Sequence, residues 1–204
     1  MDYNNSFKKL EDYIIRENYK GYDPYDTLTS YIPFKILGKW PSAIATQIQK
    51  RNPVNIRPLL GIRKGINPKA FGLFLQAYSL LYKHSKKPEY LKRAEYFFNW
   101  LKENYSTGYS GYGWGYNFPW ANPEKYMDAY VPSSVVSGFI AKGIFEYYKV
   151  SKSPEAVKIL ESICVFLDKD LEKVTDQSGI SISYIPVMKD VCFNASLLAA
   201  EIFA

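Results

Sequence analysis

Histidine and cysteine are scarce in this sequence of 204 residues, which contains one His and two Cys. A multi-histidine metal site is therefore excluded. The cysteines, Cys164 and Cys192, form no CxxC pair and are too few for a disulfide scaffold. A Walker-type phosphate loop is also missing, and the glycine-rich segment does not open a helix after a strand, as a dinucleotide fingerprint would. We accordingly expect no metal and no cofactor.

Long apolar runs and a strong charge of one sign are missing as well. The sequence contains no stretch of roughly 18 apolar residues that could cross a membrane, and its polar N-terminus has no signal-peptide pattern. We expect a cytoplasmic protein without membrane insertion. The net charge of +6 is a mild excess, which favours an anionic ligand but is too small to indicate nucleic-acid binding.

Aromatic residues, by contrast, make up 17% of the chain. Tyrosine and tryptophan combine a flat apolar face with a polar edge, which suits both core packing and stacking on sugar rings. The excess by itself does not choose between these two uses.

Two similar helix pairs follow one another along the chain. The stretch YKHSKKPEYLKRAE that begins at Tyr82 matches the stretch that begins at Tyr148, and Pro88 then aligns with Pro154. Proline at the first position of a helix is favourable, so each copy predicts a helix, a short turn and a second helix. Chance is a poor explanation for so long a match.

The first helix of each copy is apolar on most faces and the second is amphipathic, which predicts an inner helix paired with an outer one. We expect repeats over about 67–105 and 131–171, and a third that begins at about 191, in a single domain over 1–204. The predicted fold is all-α, with helical hairpins that form an incomplete α/α toroid and little or no β-structure. A truncated product, a fragment and half of an oligomer would each give an incomplete ring, and an open bundle is the alternative.

The long connectors, 52–66, 105–131 and 172–190, all precede inner helices. We therefore expect them to gather at one end, beside the helix N-termini, where unpaired amide groups favour an anionic or carbonyl-rich ligand. The middle connector combines a dense set of rings with four glycines that are expected to let the backbone turn tightly. The rings form either a sugar-stacking platform or a plug packed on neighbouring loops; the candidate stacking residues are Tyr112, Trp114, Tyr116 and Trp120.

Three aspartates, Asp128, Asp23 and Asp190, are candidate catalytic acids or bases. Simpler structural roles stay open for two of them, since Asp23 suits an Asx turn and Asp190 suits a helix N-cap. Asp26, close to Asp23 in the sequence, also suits an N-cap. The other candidate substrate ligands are Arg57, Tyr184 and Asn194. Arg57 lies in an apolar frame and suits a carboxylate, sulfate or phosphate group, unless it is an ordinary solvated cation.

Several stretches together resemble the six-hairpin glycosidase-like superfamily, and more narrowly a branch found with polysaccharide-assembly genes. They are GYDPYD (21–26), NPVNIRPLLGI (52–62), NPKAFGLFLQAY (67–78), GYGWGYNFPW (111–120), VPSSVVSGF (131–139) and ISYIPVMKDVCFNASLLAAEIFA (182–204). The resemblance implies an α/α toroid and a connection with carbohydrate. It leaves the reaction open, because the superfamily includes hydrolases, lyases and epimerases. Relatives are longer, so the chain resembles their N-terminal and middle part.

The sequence thus leads to several functional hypotheses. The first is a carbohydrate-active protein of polysaccharide metabolism that binds a neutral or acidic glycan at the connector end and processes it with Asp carboxylates. The alternatives are a non-catalytic glycan-binding module and an assembly protein whose ring is completed by another chain. A homo-oligomer formed through the open apolar face is the corresponding partner hypothesis. A terpene-cyclase-like toroid is disfavoured because no DDxxD-like motif occurs.

Overall fold

A computed structural model describes residues 3–177 and 179–204 and divides the chain into two compact units. The first, here called the N-terminal unit, comprises the chain up to Asn67 together with Asn117–Ala129. The second, the hairpin unit, comprises Pro68–Tyr116 and Tyr130–Ala204. The single domain over 1–204 stays a prediction.

The N-terminal unit consists of short helices and one small hairpin. Its helices are α1 (Tyr3–Arg16), α2 (Phe34–Leu37) and α3 (Lys39–Arg51), with single 3₁₀ turns at Asp26–Thr29 and Arg57–Leu60. The strands β1 (Trp120–Ala121) and β2 (Tyr126–Met127) pair antiparallel, and backbone hydrogen bonds between Gly21 and Gly65 join the two longest loops.

The hairpin unit contains both predicted repeats. They are α4 (Pro68–Ser85) with α5 (Pro88–Glu103), and α6 (Ser134–Ser151) with α7 (Pro154–Lys169). The antiparallel strands β3 (Lys173–Asp176) and β4 (Gly179–Ile182) precede α8 (Phe193–Phe203). The all-α fold of helical hairpins with little β-structure is confirmed, while the arrangement of the hairpins as an incomplete α/α toroid stays a prediction.

Proline positions explain where the repeat helices begin. Pro88 and Pro154 each occupy the first turn of an outer helix, as expected. Pro132 does not start α6: Ser133 is the N-cap, and its side chain accepts a hydrogen bond from the Val136 amide at 3.1 Å. The serine hydroxyl accepts this hydrogen bond at the N-cap, where a proline would have no side-chain acceptor for the amide.

Close contacts at glycines show that α4, α6 and α8 are neighbours with the same direction. A Cβ on Gly72 would lie 2.8 Å from the Ile140 Cα, and one on Gly143 would lie 2.3 Å from the Gly72 carbonyl oxygen and 3.5 Å from the Gln76 nitrogen. On the other side of α6, a Cβ on Gly138 would lie 2.6 Å from Leu198. Farther along, Lys142 pairs with Glu201 at 2.8 Å. Since contacts advance together along both chains of each pair, the three inner helices are parallel and begin at one end.

Outer helices bury their apolar faces at equivalent positions of the two repeats. In α5 the buried residues include Phe97 and Leu101, and in α7 their equivalents Ile163 and Leu167. All four side chains are fully enclosed. Burial of such a side chain contributes about 1.5–3 kcal/mol, so these positions hold the hairpins together.

Candidate functional site

The aromatic-glycine segment, residues 105–116, packs across α7. Only Gly108, at φ 89°, has the left-handed backbone of a tight turn. Gly111 and Gly115 are needed for a different reason, because a Cβ there would come within 2.0 Å of the Ser162 carbonyl oxygen and 2.1 Å of the Val131 carbonyl oxygen. The expectation that these glycines turn the chain is therefore wrong for both positions, where glycine permits close approach of two backbones.

Trp114 fixes this segment to the core. Its side chain is 1% exposed, and its indole N–H donates to the Leu101 carbonyl oxygen at 3.1 Å. Its backbone amide donates to Ser137 Oγ at 3.0 Å. An enclosed indole presents no face to a sugar ring, so the structure favours the packing role for Trp114 over the predicted stacking role.

The other candidate rings are divided between the units. Tyr112 is half-buried and lies against Tyr105, with ring centroids 4.1 Å apart. Burial raises the pKa of the Tyr112 phenol. Trp120 belongs to β1 of the N-terminal unit, where the Lys125 ammonium lies 5.6 Å from its ring. Sugar contacts by Tyr112 and Trp120 stay predictions.

Tyr116 and Tyr184 form a hydroxyl pair at the start of α6. The Tyr184 side chain is hydrogen-bonded to the side chains of Tyr116 and Ser133, and both tyrosines are half-buried. Burial, followed by the neighbouring Tyr116, raises the pKa of the Tyr184 phenol far above its usual range. The phenol therefore keeps its proton at any physiological pH and acts as a neutral hydrogen-bonding group.

Asp190 and Ser134 hold the backbone of Tyr184 from both sides. The Tyr184 amide donates to Asp190 Oδ1 at 2.9 Å. The Tyr184 carbonyl oxygen accepts from the Ser134 amide at 3.0 Å and from Ser134 Oγ at 3.2 Å. Asp190 is not the N-cap of α8, since that position is Cys192. The carboxylate closes a turn instead, and its catalytic role stays a prediction.

Further residues lie near the same ends of the inner helices. Asn194, in the first turn of α8, is exposed, and its Oδ1 accepts hydrogen bonds from Cys192 Sγ at 2.8 Å and the Ala195 amide at 3.0 Å. The Lys69 ammonium, in the first turn of α4, lies 4.2 Å from the ring centroid of Phe139, in the second turn of α6. This pair was not predicted from the sequence, although a lysine and a phenylalanine near the starts of two repeat helices were a usable signal.

Arg57 forms a buried ion pair in the N-terminal unit. Its Nε donates to both carboxylate oxygens of Asp26, at 2.9 and 3.0 Å, and its Nη2 donates to the Asp23 carbonyl oxygen at 3.0 Å. The side chains of Arg57 and Asp26 are 15% and 7% exposed. This guanidinium is engaged within the protein through Nε and Nη2, and the contact of Arg57 with an anionic ligand stays a prediction. Burial raises the pKa of Asp26, and Arg57 opposes that rise.

Asp23 adopts the Asx turn that was one of its two predicted roles. Its Oδ1 accepts from the Tyr25 amide at 3.0 Å, and its Oδ2 accepts from Asn67 Nδ2 at 3.2 Å. We expected Asp26 to cap the 3₁₀ turn, but its side chain does not do so. Its Oδ2 accepts a hydrogen bond from the Asp23 amide instead. The ion pair thus joins the loop around residue 23 to the loop around residue 57.

Asp128 is an exposed partner of Lys35. The Lys35 ammonium lies 2.8 Å from each oxygen of Asp128, and the two side chains are 66% and 59% exposed. The catalytic assignments of Asp128, Asp23 and Asp190 stay predictions: the first two lie in the N-terminal unit and the third lies in the hairpin unit.

Metal binding and membrane crossing have no candidates in the part of the chain that the structure describes. No group of three His, Cys, Asp or Glu side chains is placed there to hold an ion. Across residues 3–177 and 179–204, every helix is too short or too polar to span a bilayer.

Comparison with known proteins gives little support for any one assignment. No family model matches the chain, and no curated protein matches it. A similar solved structure is the crystal structure of a family 76 glycoside hydrolase from a bovine Bacteroides thetaiotaomicron strain, with 16% identity and a TM-score of 0.48. The match covers 68% of this chain and 29% of that chain. An identity of 16% and a TM-score of 0.48 are too low to assign a function to this chain.

Proposed function

We propose that this chain is a carbohydrate-binding protein of polysaccharide metabolism, and that it binds a glycan where α4, α6 and α8 begin. The observation that carries the proposal is the hydroxyl pair of Tyr116 and Tyr184 beside the first turn of α6. Half-buried tyrosines offer ring faces to the C–H groups of a sugar and hydroxyls to its oxygens.

The helix ends add a preference for acceptor groups. The helix dipole makes the N-terminal end of each helix positive, while the Ser134, Val136 and Ala195 amides there already donate hydrogen bonds within the protein. Three parallel inner helices begin at this end of the hairpin unit, as the contacts of Gly72, Gly138 and Gly143 require. Carbonyl, hydroxyl and carboxylate oxygens of a neutral or uronic-acid glycan suit such a surface.

Binding is better supported than hydrolysis. Glycoside hydrolysis uses two carboxyl groups about 5–5.5 Å apart in retaining enzymes or about 6.5–9.5 Å apart in inverting enzymes. Of the three candidate aspartates, only Asp190 belongs to the hairpin unit, and its Oδ1 already accepts the Tyr184 amide. We therefore keep hydrolysis by Asp128 with Asp23 or Asp190 as a second hypothesis, testable by loss of turnover in Asp128→Asn.

A role in assembly is the other candidate function, favoured by α8. This helix is largely apolar, and its residues Phe193 and Leu197 are 76% and 73% exposed. Contiguous exposed apolar surface is typical of interfaces. Sedimentation of wild type against Leu197→Gln tests whether a second copy of the chain covers α8; a wild-type monomer would contradict it.

The glycan proposal is tested by an array of neutral and acidic oligosaccharides, followed by calorimetric titration of the strongest ligand. We expect Tyr184→Phe and Tyr116→Phe each to weaken binding about tenfold, because each removes a hydroxyl from a desolvated pair. The matched control is Tyr148→Phe, in the last turn of α6 and so at its opposite end. Absence of glycan binding, or equal loss in the control, would contradict the proposal.

A further inference from the structure

The helix α3 turns its polar face inward and its apolar face outward. Its buried residues are Ser42, Ala43, Thr46 and Gln49. Ser42 Oγ donates to the Gly38 carbonyl oxygen at 2.7 Å, and Thr46 Oγ1 donates to the Ser42 carbonyl oxygen at 2.9 Å. Burial of polar groups while large apolar groups stay in water is the reverse of what the hydrophobic effect favours.

The outer face of α3 is a continuous apolar stripe. Trp40, Ile44 and Ile48 are spaced by four residues, so they lie on one face of the helix, and they are 58%, 55% and 66% exposed. Just before the helix, Ile36 and Leu37 of α2 are 85% and 53% exposed. A stripe of this size is typical of a surface that another molecule covers.

The segment that carries this stripe has only positive charges. Segment 34–51 contains four cations and no Asp or Glu: Lys35, Lys39, Lys50 and Arg51. All four are exposed. Asp128, outside the segment, neutralises Lys35, whereas Lys39 donates to the Glu124 carbonyl oxygen, Lys50 to the Tyr25 hydroxyl and Arg51 to Gln47. None of these last three contacts supplies a negative charge.

We propose that α2 and α3 bind the surface of an anionic membrane, with α3 lying in the plane of the bilayer interface. An amphipathic helix with an apolar face that includes Trp, Lys and Arg beside it and no acidic residue has the chemistry of an interfacial helix. Its 13 residues lie on the bilayer without crossing it, consistent with the lack of a spanning helix among the described residues.

Charge argues against a second copy of the chain as the occupant. Two copies packed stripe to stripe would place cations of one segment beside cations of the other, and like charges at an interface are unfavourable. Anionic lipid headgroups neutralise the same cations, each of which then gains attraction to the surface. The inference stands on residues of the N-terminal unit alone and is independent of glycan binding.

The test is co-sedimentation of the whole chain with vesicles. One set contains phosphatidylcholine alone, and the other contains phosphatidylcholine mixed with phosphatidylglycerol. We expect binding to the anionic vesicles, weakened by added salt. The double variant Ile44→Gln, Ile48→Gln should lower the partition coefficient at least about tenfold. The double variant Lys50→Gln, Arg51→Gln should lower it about thirtyfold.

The matched control is Leu197→Gln, which removes an equally exposed leucine from α8 and should bind vesicles as the wild type does. Trp40 gives a second readout, because insertion of its ring shifts its fluorescence to the blue, and Trp40→Phe should abolish that shift. Equal binding to both kinds of vesicle, or binding unchanged in both double variants, would overturn the proposal. So would a wild-type dimer that the isoleucine variant converts to a monomer.

Discussion

The helices α3 and α7 have similar lengths but present opposite faces to their own units. In α7 the inward residues are apolar, among them Ile163 and Phe166, whereas α3 encloses Ser42, Thr46 and Gln49. The hairpin unit thus packs α7 through apolar residues, whereas the N-terminal unit adds hydrogen bonds and a buried ion pair to an apolar core that includes Phe34 and Ile62. An amphipathic pattern therefore shows that a helix has two faces, but not which of them is inside.

The largest expected effect comes from the ion pair of the N-terminal unit. Arg57→Ala leaves the buried Asp26 carboxylate without its cation, which should cost about 3–5 kcal/mol of unfolding free energy. Lys35→Ala, which breaks the exposed pair with Asp128, should leave the unfolding free energy nearly unchanged, because water screens that pair. Urea denaturation measures the cost of each substitution. Hydrogen exchange should be faster in Arg57→Ala in the two loops that the ion pair joins. Equal costs for the two variants would show that the Arg57 pair is not buried.

The apolar faces of α7 and α3 give the next contrast. Ile163 is fully enclosed, and Ile163→Ala should destabilise the hairpin unit by about 2–5 kcal/mol. Ile44 is 55% exposed, and Ile44→Ala should change stability by no more than about 0.5 kcal/mol. Chemical denaturation of both variants tests the orientation of α3 directly: a large loss in Ile44→Ala would place that side chain in a core.

Gly111 and Gly21 differ in the space available for an added Cβ, and alanine substitutions test that difference. In the hairpin unit, Gly111→Ala would put a Cβ 2.0 Å from the Ser162 carbonyl oxygen and should cost about 1–3 kcal/mol as the backbones move apart. In the N-terminal unit, Gly21→Ala meets no atom within 4 Å and should cost no more than about 0.5 kcal/mol. Thermal melts of the two variants make the comparison, and similar melting temperatures would contradict the tight crossing of 105–116 over α7.

The smallest expected effect is a loss of folding stability at alkaline pH in the hairpin unit. The pKa of Tyr184 is raised above the ordinary tyrosine value of 10.0 in the folded protein. The unfolded chain therefore loses this proton first as pH rises past that value, and the stability contribution is present below it and lost above it. Urea denaturation at a series of alkaline pH values should show a shallower loss for Tyr184→Phe than for wild type. Parallel curves would mean that Tyr184 is not held protonated by burial.

Much of the hairpin unit could be predicted from sequence. The match between the segments at Tyr82 and Tyr148 gave two helix pairs, and the structure confirms Pro88 and Pro154 in the first turns of their outer helices. Two of the long connectors meet as expected, since the side chains of Tyr116 and Tyr184, one from each connector, are hydrogen-bonded to each other. The third connector belongs to the N-terminal unit, so its place beside them stays a prediction.

The candidate site was harder to predict, because residue type does not reveal a distant partner. Arg57 suited an anionic ligand by its chemistry, but its carboxylate partner is Asp26, 31 positions earlier. Trp114 suited sugar stacking, but the carbonyl oxygen of Leu101 accepts its indole N–H within the core. In both cases the polar group found its partner inside the protein, which leaves less of the side chain for a ligand.

Local rules were sufficient to locate the repeat helices: proline in the first turns of the outer helices, apolar spacing and a repeated sequence can be recognised without a fold. The inward face of α3, the engagement of the aspartates and the parallel course of α4, α6 and α8 depend on which segments come together from far along the chain. Burial and hydrogen-bond pairing are properties of that assembly, and only three-dimensional packing could decide them.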